Sequence, residues 1–222
     1  MAASRRFAMP DPADVVIDDV ILDEIPPGSR VIDLGCGNGR LLEKLQEELN
    51  CRVLGVELDY GNFKAAIGRG LPVLNFDLDE NLSDLPDNSF EWAILSETLQ
   101  EVRHPKTLLG EMMRIAQRAI IVVPNFANWK IRIQILKSGR TPVTSSFPYE
   151  WYDTPNLHFM SLYDFRDLVE ELGLRILKEM PIIRGSAVER AWLANLRAES
   201  GLFVIERSET SAADAKQLPN SQ

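Results

Sequence analysis

Residues 31–39 read Val31-Ile32-Asp33-Leu34-Gly35-Cys36-Gly37-Asn38-Gly39, and the reading of the fold starts from them. The apolar lead-in has the character of a buried strand. Three glycines spaced two apart then supply a sharp turn whose backbone takes positive φ and lets a ligand approach the main chain closely. Leu41, Leu42 and Leu45 follow at helical spacing. Asp33 is costly to bury in such a strand without a partner, so it is expected to serve the loop or a ligand. Strand, glycine turn and helix together indicate a nucleotide or nucleoside site. A dinucleotide fingerprint needs glycine three residues after its second glycine, and Arg40 stands there instead, which weakens a pyrophosphate reading.

Upstream, Ala13, Val16, Ile17, Val20 and Ile21 repeat at helical spacing, with Asp14, Asp18 and Asp19 read as lying off the apolar face. This predicts a helix over 13–25, stopped by Pro26-Pro27-Gly28, after a flexible start over 1–12. Downstream, Arg52 to Glu57 is a second strand ending on Glu57 and Asp59. An acid there, about 20 residues past a glycine loop, is placed to accept hydrogen bonds from ribose hydroxyls. Short helix 63–68, strand 71–76, loop 79–89, strand 90–95, helix 105–115 and strand 119–123 complete an alternating series, which argues a parallel sheet covered by helices on both faces. The carboxyl ends of the five strands carry Gly35–Gly39, Glu57, Asp77, Ser96 with Glu97, and Asn125, and ligands of such sheets bind at that edge.

Between Pro124 and Phe159 the alternation breaks. Seven of the seventeen aromatic residues fall there, so the stretch reads as an insert acting as a lid or partner surface, or as a small satellite core. Residues 129–136 are read as a helix in preference to a strand. A helix over 161–172, strands 176–180 and 202–206 with a short helix around 188–196 between them, and a disordered tail from 207 to 222 finish the chain. One domain over 13–206 is expected.

A net charge of −9 speaks against a nucleic-acid partner, which needs clustered Lys and Arg. No apolar run approaches the ~20 residues of a membrane span and no secretory leader is evident, so a cytoplasmic location is expected. Cys36 and Cys51 fall at opposite ends of neighbouring strands, over 10 Å apart at about 3.3 Å per residue. No disulfide and no metal site are expected from them.

The run 31–39 resembles the first motif of class I S-adenosylmethionine-dependent methyltransferases. The likeness continues through Gly55-Val56-Glu57-Leu58-Asp59, Asp77-Leu78 and Phe90 to Ser96. The stretches 95–100 (LSETLQ), 123–129 (VPNFANW), 139–144 (GRTPVT) and 148–156 (PYEWYDTPN) are similar to the methionine biosynthesis protein MetW family, over roughly residues 20–206. That resemblance implies a class I methyltransferase (Rossmann-like) α/β fold: a mostly parallel seven-stranded sheet, helices on both faces, and an aromatic lid insert over about 124–159. It implies S-adenosylmethionine or S-adenosylhomocysteine as cofactor. Gly35, Cys36, Gly37 and Gly39 would lie under the methionine moiety and Asp33 near its ammonium. Glu57, with Leu58, would take the ribose, Asp77 and Leu78 the adenine, and Ser96 and Asp59 would stand in the pocket.

Two functions follow from the resemblance. One is methyl transfer to a small molecule; the other is a non-catalytic association with homoserine O-acyltransferase in methionine biosynthesis. No catalytic base stands out. His158, Tyr149 and Glu150 are candidates by position in the lid, while His104 before Pro105 reads as a surface or capping residue. The basic residues Lys130, Arg132, Lys137 and Arg140 could dock an acidic partner face or form a solvated helix surface. Hydrolase elbows, zincin helices and phosphate loops are absent.

Overall fold

A computed structural model describes residues 12–80, 82–144 and 146–208. The expectations of a flexible start and a disordered tail fall almost wholly outside those residues. One eight-stranded sheet organises the chain, in the order β3-β2-β1-β4-β5-β8-β6-β7. Its strands are β1 (Arg30–Leu34), β2 (Arg52–Val56), β3 (Val73–Leu74), β4 (Phe90–Ser96), β5 (Ala116–Pro124), β6 (Leu174–Ile183), β7 (Ser186–Ala187) and β8 (Ser200–Arg207). The first five pair in parallel, whereas β8 lies antiparallel between β5 and β6. The chain leaves β1 toward β2 and β3 on one side, then returns to place β4 on the other. This reversal opens a crevice at the carboxyl ends of β1 and β4, where open α/β sheets bind ligands.

The helices are α1 (Pro12–Glu24), α2 (Arg40–Leu49), α3 (Tyr60–Gly68), α4 (Pro105–Ile115), α5 (Trp129–Ser138), α6 (Leu162–Glu171) and α7 (Ala194–Arg197). Alternate residues of the central strands feed two apolar layers. Ile32, Leu95 and Ile121 meet Leu109 of α4 and Phe165 of α6 on one face. Val31, Ile94 and Val122 meet Ile21 of α1 and Leu45 of α2 on the other.

Four local expectations change. The sheet has eight strands because Arg184 and Gly185 both take positive φ (53° and 71°), a two-residue turn that folds β7 back onto β6. The helix expected around 188–196 accordingly shrinks to α7. Strand β3 is shorter than expected: only Val73 and Leu74 pair with β2, at Gly55 and Val56. Helix α3 begins at Tyr60, not Phe63, because the Asp59 carboxylate accepts the Asn62 N–H at 2.8 Å and caps it.

Asp18 is the fourth. It is not off the apolar face but buried at 3% exposure, where it forms ion pairs with Arg40 and with Lys44 (3.3 Å) of α2. The residue that takes the place of a fingerprint glycine therefore fastens the glycine-loop helix to α1. Both cysteines are buried, and neither forms a disulfide.

The insert after β5 combines the helical and satellite-core readings. Asn128 caps α5 by accepting the Lys130 N–H at 2.9 Å, and Gly139 ends it with φ 61°. Phe126, Phe147 and Phe159 pack together with ring centroids 4.9–6.1 Å apart. Asn125 and Asn128 donate side-chain N–H groups to the carbonyls of Asn195, Arg197 and Ala198, tying the root of the insert to α7. Where the chain returns, the Phe126 N–H donates to the Met160 carbonyl at 2.9 Å.

Candidate functional site

The glycine turn leaves β1 along a path fixed by β2, since the amides of Gly35 and Cys36 both donate to the Val56 carbonyl, at 2.8 and 3.0 Å. Gly35 and Gly39 are required by space as well as by φ (82° and 80°). A Cβ on Gly35 would lie 2.5 Å from Thr98 Oγ1, and one on Gly39 2.5 Å from Leu71 Cδ1. Gly37 has φ 56° but nothing within 4 Å of its Cβ position, so its face is open.

Glu57 connects the loop to the second strand. One of its carboxylate oxygens accepts the Gly37 N–H at 2.8 Å, and the other accepts the Asp59 N–H at 2.7 Å. Its side chain is thereby oriented at the sheet edge, with lone pairs left for a ligand. Asp33, 3% exposed, lies close enough to feel Glu57. Burial, reinforced by repulsion from Glu57, raises its pKa from 3.8 to about 7. Such a carboxyl is poised for a positively charged ligand, whose charge would favour its ionised form. Burial, then the nearby acids Asp33 and Glu57, push the Cys36 thiol well up and disfavour its thiolate.

Asp33, Gly35, Cys36, Gly37, Gly39 and Glu57 thus form one cluster. Leu58 is adjacent in the chain but 60% exposed. The Asn75 side-chain amide donates to the carbonyls of Glu57 (2.7 Å) and Leu58 (3.1 Å), joining the end of β3 to the cluster. Two residues on, Asp77 accepts the Asp79 N–H at 2.9 Å, and both Asp77 and Leu78 are half-buried. Leu78 also lines a cavity of about 410 Å³ with Leu82, His104, Thr107 and Leu108.

Ser96 ends β4, and its carbonyl accepts the Thr98 hydroxyl at 2.9 Å. The turn that follows is strained at Glu97, whose φ is 49°. Thr98 packs against Gly35 from this turn, bringing the ends of β1 and β4 together. Asp59 and Asn125 hold structural roles, as a helix cap and as the bracket to α7. His104 is exposed before α4, where its N–H and that of Arg103 donate to the Asp79 carboxylate.

Three residues receive no site role from the sequence. Asn75 lies inside an expected strand, and Thr98 stands in the stretch 95–100 without an assigned contact. The Gln100 backbone carbonyl accepts the N–H groups of Leu157 (2.8 Å) and His158 (3.0 Å), stapling the insert to the turn after β4. Gln100 Oε1 and His158 Nε2 are both buried with no hydrogen-bond partner among the described residues. Of the other candidate bases, Tyr149 lines an aromatic cavity of about 270 Å³ with Phe126, Phe147, Trp151 and Phe159, whereas Glu150 is exposed. No group of metal-binding side chains occurs among the described residues, and none of their helices is long and apolar enough to cross a membrane.

The sequence profile of methionine biosynthesis protein MetW matches residues 17–205. The chain belongs to the MetW family. A bifunctional methionine biosynthesis protein MetXA/MetW from Rhodopirellula baltica is 35% identical over 210 residues, covering 88% of this chain and 34% of its own length. The chain therefore spans about a third of that relative. Among solved structures, an S-adenosylmethionine-dependent methyltransferase from Thermotoga maritima superposes with a TM-score of 0.66 at 19% identity, covering 88% of this chain and 89% of that one. Magnesium protoporphyrin IX methyltransferase from Synechocystis PCC 6803, solved with bound S-adenosylhomocysteine, gives 0.58 at 19% identity over 88% and 82%. At these identities the superpositions establish the class I methyltransferase fold.

Proposed function

We propose that this MetW-family chain binds S-adenosylmethionine or S-adenosylhomocysteine at the carboxyl edge of β1, β2 and β3 and acts as a methyltransferase on a small molecule. The observation that carries the reading is the Glu57 carboxylate bonded to the Gly37 amide, which holds an acid and an open glycine loop together at the topological switch of the sheet. Gly35, Cys36, Gly37 and Gly39 lie under the methionine portion, and Asp33 balances its ammonium. Glu57, flanked by Leu58, accepts the ribose hydroxyls. Asp77 and the Leu78 amide take the adenine, and Ser96 borders the methionine end. The cofactor supplies an activated methyl group on a sulfonium. The chain's part is to orient the acceptor and hold its proton. His158 is favoured over Tyr149 and Glu150 for the proton, because its Nε2 is buried with no partner among the described residues whereas Glu150 faces solvent.

A thermal-shift series with S-adenosylmethionine, S-adenosylhomocysteine and NAD tests the assignment. Ligand at 100 times its dissociation constant adds about 2.7 kcal/mol, a rise of roughly 5–10 °C for a domain of this size. Glu57→Lys is expected to abolish the rise, and undiminished S-adenosylmethionine affinity in that variant would refute the site.

A second reading has its own support. The family resemblance implies association with homoserine O-acyltransferase, and the relative from R. baltica carries MetXA and MetW in one protein. In this reading the pocket senses the pathway's downstream product. Raised homoserine acylation on adding this chain supports it, and unchanged acylation refutes it.

A further inference from the structure

Helix α5 is held to the body of the protein by little of its own surface. Of its side chains only Ile131 is buried, at 1% exposure. Trp129, Ile133 and Leu136 are exposed at 45%, 40% and 85%. Their spacing of four and three residues puts them on one stripe, opposite Ile131 at 100° per residue. The same geometry sets Arg132 along one side of the stripe and Lys130 and Lys137 along the other. Arg140 follows just past the helix end.

The charge of this segment is opposite to that of the chain. Residues 124–149 contain no Asp or Glu, in a protein of net charge −9. Lys130 pairs with Glu199 at 3.1 Å, and Arg132 donates to the Ala127 carbonyl at 2.6 Å. Lys137 and Arg140 have no carboxylate partner among the described residues. A well-formed helix with an outward apolar stripe between rows of cations has the form of a helix recognised in a groove through anchors at i, i+4 and i+7.

We propose that α5 is a docking helix whose Trp129, Ile133 and Leu136 enter an apolar groove, lined at its rims by carboxylates, on a partner protein. Resting on the association reading above, that partner is homoserine O-acyltransferase. A second copy of this chain fits poorly, because a two-fold contact through α5 sets cations against the same cations. An anionic bilayer fits poorly as well, because the net charge of −9 repels the body of the protein from such a surface. A partner protein needs to match only the local charge.

The test uses purified homoserine O-acyltransferase from the same organism, with the full chain as wild type, Leu136→Asp, and the double variant Lys137→Glu/Arg140→Glu. Binding is measured by calorimetry at low and high salt. S-adenosylhomocysteine affinity and melting temperature, measured alongside, report an intact fold and pocket. Leu136→Asp is expected to weaken association at least 30-fold, as for an anchor in a groove. The charge-reversed pair is expected to weaken it at least 10-fold at low salt and less at high salt. Wild-type-like binding in both variants overturns the docking helix and leaves the partnership standing. No binding by the wild-type chain overturns the partnership itself. Self-association through α5, or capture by phosphatidylserine vesicles that Leu136→Asp abolishes, would also overturn the proposed occupant.

Discussion

Asp33→Asn is expected to make the unliganded protein more stable while weakening the proposed S-adenosylmethionine site, and pH separates the two effects. Burial and the neighbouring Glu57 raise the Asp33 carboxyl from 3.8 to about 7 in the folded state. In the unfolded chain it ionises near 4. Between those values the native state binds the extra proton, so stability falls as pH rises from about 4 to about 7 and levels off above. Each pKa unit corresponds to ~1.36 kcal/mol, so the full penalty above pH 7 is roughly 4 kcal/mol. An amide at position 33 carries no such cost. Urea unfolding of both proteins at pH 4.5, 6, 7 and 8.5 should show their stability difference shifting in favour of Asp33→Asn across this range and reaching a plateau. Any hydrogen bond lost to the amide changes the difference by the same amount at every pH, so the slope is diagnostic. A difference that does not change between pH 4.5 and 8.5 would refute the reasoning. In the same preparations S-adenosylmethionine affinity should drop at least 10-fold in the variant. In the wild type it should strengthen from pH 6 to 8, as the carboxylate needed beside an ammonium forms.

Two further substitutions probe the scaffold beneath the site. Asp18→Ala removes the buried carboxylate between Arg40 and Lys44, which stay partly exposed, with Lys44 still paired to Asp19, so a loss of about 1.5–2 kcal/mol is expected; thermal melting should fall by roughly 3–8 °C, and an unchanged melt would mean the clamp between α1 and α2 contributes nothing. Gly35→Ala puts a methyl group against Thr98, whose hydroxyl is already bonded to the Ser96 carbonyl, besides forcing alanine into φ 82°. A loss of about 2–4 kcal/mol is expected. Adding Thr98→Ala should recover the steric share but not the backbone share, so full recovery or none would contradict the geometry.

The central strands and helices were legible because their patterns are strong. Leu41, Leu42 and Leu45 point to the core as their spacing requires, and Pro105 marks the start of α4. The glycine loop and Glu57 were legible for the same reason, since residue types and strand ends fix them together. What escaped depends on tertiary partners. Asp18 looks like a solvent-facing acid until Arg40, distant in sequence, is brought beside it. Asn125 stands at a strand end like a ligand-binding residue, yet its amide is taken up by carbonyls near residue 198. The Arg184-Gly185 turn carries no asparagine-glycine or glycine-pair signal, and the two-residue β7 after it is too short to show alternation, so the stretch reads only as a helix around 188–196. Gln100 and His158 could not have been paired from sequence, because only the path of the insert brings them together.

That path has a consequence for how the protein can change. The insert leaves β5 at Phe126 and returns at Met160, and one backbone hydrogen bond spans this neck. Its three phenylalanines pack on one another, and at its far end the Leu157 and His158 amides donate to the Gln100 backbone carbonyl. Loop closure depends only weakly on length, about 0.6 kcal/mol per doubling. The stretch between these fixed ends, about residues 129–156, is therefore an exchangeable cassette. It can be lengthened, shortened or grafted from a relative with slight effect on the strands that carry Glu57. Recognition of a partner can then diverge quickly on a chassis whose ligand pocket stays the same.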